Sequence, residues 1–485
     1  MTGPGVYCHW RDRDPTPIRL ANAGENIWEE REYRVSSGPV QPIRRRRTDA
    51  VVSKRDDAAA EELASQTLEP TPKTLELDST LSTSPGESLE GVVAESPHRW
   101  AYPLISNLLA DYGGVSQDSE ADDDWLKQVE SQCRGSLQQF QLQSKIVNKT
   151  LTPNAALLKF QGSASLTVEQ VVKRRSEFLT THGLNVISVR AEPGLVAIAI
   201  ARPSRRVLQL PEVWNRWSPE CSRGNCELLI AVKEESSDLL FLSPRSNAPH
   251  TLIAGSTGSG KSVLMQNILL SIACTNSPEQ ARILLIDPKL GVDYFAFEGL
   301  PHLLEGVIDN QQAAIFALNQ LVVEMDRRYK VLKENKVSNI FDLNAKLDAS
   351  ERLPFLWVVH DEFAEWMMTA EYGEAVSDIV SRLGVKARAA GIFLVFAAQR
   401  PDAHVMPMQL RANLGNRLVL RVDSEGTSEI ALGEKCAERL LGKGHLAAKL
   451  EGEHEIVFAQ VPFVAADVLS ELVTVVREAG DNQRT

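Results

Sequence analysis

The chain predicts an α/β fold built on a mainly parallel sheet with helices on both faces. Three observations carry that expectation. Apolar runs of strand length at 251–254, 282–287, 355–360, 392–398 and 417–422 alternate with helical patterns at 263–274, 312–334 and from 363 to 387. Such alternation is the signature of a parallel sheet, whose strands are buried on both sides. A glycine-rich loop, HTLIAGSTGSGKS (250–262), sits between the first strand and the first helix. Polar residues then follow the apolar runs: Asp287-Pro288-Lys289, Asp361-Glu362 and Gln399-Arg400-Pro401. Ligands of such sheets bind at the C-terminal ends of the strands.

Composition bounds the class without choosing a function. With 485 residues there is room for roughly three domains, and 43% hydrophobic with 24% charged residues is ordinary for a soluble globular protein. No apolar run approaches the ~18 residues that span a bilayer, and no apolar leader opens the chain. The six cysteines are scattered, and Cys221 and Cys226 have no second Cys/His pair to complete a zinc site. Reduced cysteines and a cytoplasmic location are expected. The net charge of −12 argues against indiscriminate coating of nucleic acid, while leaving a local basic channel open.

Four regions are expected in chain order. Residues 1–130 read as largely disordered or linker, with four arginines at 44–47 and a Ser/Thr/Pro/Glu-rich stretch at 73–95. Residues 140–215 read as a small α/β domain. Its helix at 166–182 stops at Gly183, and strands at 184–190 and 195–201 flank the turn Glu192-Pro193-Gly194. Trp214 and Trp217 are expected in the core. Residues 225–463 form the main domain; its helix at 312–334 carries an apolar stripe of Ile315, Leu318, Val322, Met325, Tyr329 and Leu332, with Glu324 and Arg328 among the charges mostly off it. Residues 464–485 hold one helix at most.

The chemistry of the loop is nucleotide binding. Gly255, Ser256, Thr257, Gly258, Ser259, Gly260, Lys261 and Ser262 complete G-x-x-x-x-G-K-[ST], with Val263 opening the helix behind it. Glycines let consecutive backbone N–H groups point at phosphate oxygens, and the helix N-terminus adds its dipole. Lys261 suits the β/γ-phosphates of ATP, and Ser262 suits Mg2+. Asp361 would hold Mg2+ through water, Glu362 would polarise the attacking water, and Gln399 would bridge water and γ-phosphate. Arg388, in Lys-Ala-Arg-Ala-Ala-Gly391, reads equally as a surface arginine.

The main domain resembles the FtsK/SpoIIIE family of hexameric double-stranded DNA translocases, within the FtsK/HerA class of RecA-like P-loop NTPases. The matching stretches are HTLIAGSTGSGKS, ILLIDPK (283–289), FEGLPHLL (297–304), VVEMDRRYKVL (322–332), VVHDEFAEWMM (358–368), VKARAAGIFLVFAAQRP (385–401) and LLGKGHL (440–446). The small domain resembles, more weakly, the family's αβ ring domain. The resemblance implies ATP hydrolysis coupled to DNA translocation by a homohexameric ring with ATP sites between subunits. Arg388 would be the arginine finger of a neighbour's site, and Arg400, Arg411 and Arg417 would face DNA phosphates. This chain departs from the family where Asp423, Glu425 and Glu429 replace a usually basic loop, which implies weaker DNA binding or a different grip. No membrane helices and no C-terminal winged helix are read, so an accessory role with nuclease or defence-system partners is expected rather than one at the septum. The alternative is a coupling or secretion ATPase acting on protein.

Overall fold

The computed structural model describes residues 105–110, 112, 120–142, 144–217, 225–245, 249–401, 408–453 and 455–481. The arginine run at 44–47 and the stretch at 73–95 lie outside the described residues; residues 105–110 and 120–130, within the region expected as disorder or linker, are instead helical and bury Ile105, Leu109, Leu126 and Val129 in the cores.

Helices α1 (Ile105–Ala110) and α2 (Glu120–Gln139) precede a four-stranded antiparallel sheet of β1 (Ile146–Leu151), β2 (Ala155–Gln161), β3 (Val186–Glu192) and β4 (Leu195–Ala201), in the order β1-β2-β4-β3. The single helix expected at 166–182 is two, α3 (Val168–Lys173) and α4 (Arg175–His182), broken at Arg174. Thr167 and Gln170 form a capping box at the start of α3, and Gly183 ends α4. Two of the four strands are absent from the sequence expectation. The first, β1, reads IVNKTL and is largely exposed at the sheet edge, so it lacks an apolar pattern. One sheet face buries Leu158, Phe160, Val196 and Ile198 against Val129, Cys133 and Phe178 of the helices. The other presents mostly small residues, Ala155, Leu157, Ala197 and Ala199. Burial on both faces explains why β4 reads as continuous LVAIAIA.

α5 (Leu210–Trp214) leads towards the main domain, and Trp214 and Trp217 pack edge to face at 4.9 Å in the core, as expected. Then follow β5 (Leu228–Lys233), β6 (Leu239–Leu242), β7 (Thr251–Ala254), α6 (Lys261–Thr275), β8 (Ala281–Ile286), α7 (Gln311–Glu334), α8 (Ile340–Lys346) and β9 (Phe355–His360). The remainder is α9 (Phe363–Met367), α10 (Ala370–Lys386), β10 (Ile392–Ala398), α11 (Met408–Asn413), β11 (Asn416–Leu420), α12 (Glu425–Leu432), β12 (His445–Lys449), β13 (Val457–Gln460) and α13 (Ala466–Asp481).

Among the described residues one nine-stranded sheet runs β6-β5-β13-β12-β11-β7-β10-β9-β8. The span β11-β7-β10-β9-β8 is parallel, as the alternating pattern requires. From β11 to β6 every pairing is antiparallel, so the sheet is mixed and its parallel part is one half. β7 lies between β10 and β11, which puts the glycine loop amid the other parallel strand ends. Helix α6 is buried nearly all round, and α7 and α10 cover the opposite face.

Helix α7 departs from expectation in one respect. Glu324 and Arg328, read as off the stripe, are both buried, with Arg328 Nε donating to Glu324 Oε1 at 2.6 Å. Mutual neutralisation removes the cost that either charge alone would carry.

His250 and His302 are fully buried. Burial, with the Arg388 charge, pushes His250 down to about 3, and burial pushes His302 down to about 4. Unfolded histidines titrate near 6.5, so below that pH the unfolded chain takes up protons that the native one refuses. Their contribution is complete above pH 6.5 and is lost on acidification, by about 1.4 kcal/mol per histidine per pH unit. Thermal midpoints should therefore fall markedly between pH 7.5 and 5.5. A flat profile would contradict the burial of neutral imidazoles.

Candidate functional site

The glycine loop is fixed at both flanks. Gly255 N donates to Ala398 O at 3.3 Å, while Ser256 N and Oγ both donate to Arg421 O, at 2.8 and 3.0 Å. Behind it, Gly444 N donates to Ser259 O at 2.7 Å. Gly260 precedes α6 with φ 105, and a Cβ there would lie 2.6 Å from Gly444 N. A side chain is excluded by both conformation and space. The first-turn N–H groups of α6 open onto the loop, a ready anion site.

Lys261 points from α6 into a buried acidic cluster. Its ammonium pairs with Asp361 Oδ1 and lies 3.1 Å from Glu362 Oε1. Asp361 directly follows β9, is fully buried and accepts from Tyr294 OH at 2.7 Å and from Glu362 N at 2.8 Å. Burial pushes the Asp361 carboxyl up, but the Lys261 charge and the two hydrogen bonds prevail and hold it below the usual range. Glu362 adopts φ 43, a left-handed conformation unusual outside glycine and asparagine. That turn aims its carboxylate at Lys261, Lys289 Nζ (2.9 Å) and Gln399 Nε2 (2.7 Å). Burial raises Glu362, and these donors outweigh it, so the carboxylate stays ionised.

Gln399 joins the two halves of the site: it donates to Glu362 and accepts from Thr257 Oγ1 of the glycine loop at 3.3 Å. Ser262 Oγ donates to Asp293 Oδ2 at 3.3 Å. Asp287, directly after β8, is buried with Oδ2 lacking a protein partner; burial and the Asp361 and Asp293 charges raise its carboxyl. Hydroxyl, carboxylates and an orphaned oxygen are hard donors that fit Mg2+. Ser262 and Asp361 would hold that ion together with phosphate oxygens and water, and it would supply charge neutralisation at the phosphates.

The remaining expected residues lie elsewhere. Arg388 is in the turn before β10, at the strand end opposite the glycine loop; the strand alone separates them by roughly 20 Å. It donates to Arg245 O at 3.3 Å, and its turn is pinned by Arg328 Nη1 on Ala390 O (2.8 Å) and the Tyr329 hydroxyl on Lys386 O (2.9 Å). Arg400, its side chain 78% exposed, pairs loosely with Asp423 at 3.3 Å. Arg411 is half-buried at the end of α11. Arg417, also half-buried, donates to the carbonyls of Arg411 (3.1 Å), Ala431 (3.1 Å) and Ile430 (3.4 Å). That guanidinium ties α11 to α12.

Sequence reasoning missed Tyr294 and Asp293, and it named 442–444 only within the matching stretch LLGKGHL, without a role. It named Lys289 at a strand end without giving it a role. Tyr294 and Asp293 sit in an irregular segment after β8 with no periodicity, and the available signal was only their closeness to Asp287-Pro-Lys.

The FtsK/SpoIIIE family model matches residues 215–403. This chain carries an FtsK/SpoIIIE domain. It is similar to the DNA translocase FtsK of Campylobacter jejuni, 32% identical over 355 residues, covering 70% of this chain and 36% of that protein. The DNA translocase FtsK of Clostridium acetobutylicum is 30% identical over 403 residues, covering 81% of this chain and 52% of that protein. The chain thus spans about a third to a half of the length of these FtsK relatives. Among solved structures, the pCW3 conjugation coupling protein TcpA, in a monomer form with ATPγS, superposes with a TM-score of 0.50 at 24% identity. That likeness covers 71% of this chain and 98% of TcpA and supports the P-loop NTPase fold. Among the described residues no helix is long and apolar enough to cross a membrane.

Gly260→Ala should strain the loop by about 1–3 kcal/mol and push Gly444 away. The expected outcome is a lower thermal midpoint and at least tenfold weaker binding of a fluorescent ATP analogue. Unchanged stability and affinity would contradict the close packing of the two loops.

Proposed function

We propose that this chain is an ATP-driven translocase of double-stranded DNA, working as a homohexameric ring with ATP sites completed between subunits. The observation that carries the ATPase reading is the convergence of Lys261, Asp361, Glu362 and Gln399 on the glycine loop. In this reading the loop N–H groups and Lys261 hold the phosphates, and Ser262 and Asp361 hold Mg2+. Glu362, kept ionised by its donors, orients a water whose oxygen bonds to the γ-phosphorus as the bond to the β,γ-bridging oxygen breaks. The water's proton passes to Glu362 and the products are ADP and phosphate. Gln399 links Glu362 to the segment beyond β10, so phosphate loss is transmitted towards Arg400.

The subunit-shared site is supported by two features. Arg388 cannot reach its own glycine loop across the sheet, so it acts only on the partner subunit's site. Beside each site, Leu290, Val292 and Phe295 are 73%, 65% and 71% exposed, flanking the site residues Asp293 and Tyr294. An exposed apolar tip next to buried site residues suits a subunit contact. The DNA reading rests on the FtsK relatives named above and on Arg400 and Arg411 past β10; phosphate contacts without base reading suit a motor that moves over any sequence. Arg417 acts as a brace in this reading. Asp423, paired with Arg400, and the acidic α12 keep the number of phosphate contacts low. A coupling or secretion ATPase acting on protein is not favoured, because the likeness to TcpA bears on the fold alone.

Glu362→Gln should bind ATP within about threefold of wild type and lose at least ~100-fold in turnover. Arg388→Ala should likewise keep nucleotide and lose turnover. In mixtures of the two chains, activity should fall faster than the wild-type fraction. Activity in strict proportion to wild-type content would remove the trans role of Arg388.

A further inference from the structure

The small four-stranded sheet reaches the phosphate loop through one short segment, residues 441–445. Leu441 packs on the small-residue face formed by Ala155, Leu157, Ala197 and Ala199. Beyond β4, Arg205 Nη1 donates to Gly442 O at 2.8 Å. In the β1–β2 turn, Asn154 is buried and its Nδ2 donates both hydrogens, to Glu234 Oε1 and to Gln460 Oε1, each at 2.8 Å. Gln460 Nε2 in turn donates to Lys443 O and Val461 O, both at 2.9 Å. Glu234 faces His445 Nε2 at 3.4 Å, and His445 Nδ1 accepts from Leu441 N at 3.1 Å. The chain of contacts ends at Gly444 N, which donates to Ser259 O. Gly444 has φ 84, and a Cβ there would lie 2.8 Å from Gln460 Nε2. Backbone meets backbone and side chain here with no room to spare.

We propose that Asn154 and Arg205 are positioning residues for the nucleotide site: the small domain sets residues 442–444 behind Ser259 and thereby the grip of the phosphate loop. The proposal rests on the nucleotide reading of that loop. Asn154, Glu234 and Gln460 are buried with no water to turn to, and Arg205 is half-buried on Gly442 O, so displacement of one end is felt at the other. Coupling of this kind is reciprocal. Movement of the small domain alters nucleotide affinity, and nucleotide binding biases the position of the small domain. A second contact between the domains, Lys159 Nζ to Glu235 Oε1 at 2.7 Å, lies on the turn between β5 and β6 and bypasses the 442–444 segment. It serves as the control.

The test titrates a fluorescent ATP analogue into the full chain and its variants, alongside thermal melting and steady-state turnover. Asn154→Ala and Arg205→Ala are each expected to weaken analogue binding about five- to tenfold. The KM for ATP should rise in step while kcat at saturation stays within about twofold. Arg205→Lys should recover most of the affinity, and Lys159→Ala should bind within about twofold of wild type. Should Asn154→Ala fail to fold, Arg205→Ala decides. Wild-type affinity in Arg205→Ala would overturn the proposal, and so would equal weakening by Lys159→Ala, which would make the effect one of domain docking in general. If the wild-type chain binds no analogue, the nucleotide reading itself falls and the proposal falls with it.

Discussion

One buried ammonium shared between two buried carboxylates organises the main domain. Lys261 comes from the first turn of α6, Asp361 and Glu362 from the end of β9, and each is costly to bury without the others. Removing one partner of such a set leaves an uncompensated charge, a loss of about 3–5 kcal/mol. The set therefore fixes the glycine loop against the end of β9, although β10 lies between β7 and β9 in the sheet. Tyr294, Lys289 and Gln399 complete the donors, and Thr257 closes the ring back to the loop. The ion pairs that make the cluster stable are also those that keep Glu362 ionised.

The parallel half of the sheet separates the glycine loop from Arg388 by its own length. At the C-terminal ends lie the phosphate loop and the acidic pair; at the N-terminal ends lies Arg388, in a turn braced by the Glu324–Arg328 pair of α7. The antiparallel half, from β12 to β6, brings the small domain up to the back of the phosphate loop. In the proposed reading each chain holds most of one site and lends Arg388 to a neighbour's, a head-to-tail arrangement that a ring would close.

Much of the site was legible because its residues directly follow apolar runs, where a strand end fixes position within a few ångström. Asp361, Glu362 and Gln399 share that property, while Lys261 is fixed by the G-x-x-x-x-G-K-[ST] spacing after β7. Tyr294 and Asp293 do not, since they follow a strand by several residues of irregular backbone. The charged pair Glu324 and Arg328 was hidden because periodicity counts both as solvent-facing, and only their mutual neutralisation permits burial. Strands β5, β6, β12 and β13 were absent from the expectation: short, without helices between them, they give no alternating pattern. Arg417 was read by position as a DNA contact, whereas its neighbours' carbonyls engage it. Sequence spacing does not show which donors are already occupied.

The most direct measurement is the steady-state ATPase rate with and without long linear duplex DNA, at low and moderate salt. Several-fold stimulation by DNA that moderate salt removes is the expected result, because contacts to phosphate release counterions. Robust hydrolysis indifferent to duplex DNA at both salts would contradict DNA translocation and favour a protein substrate.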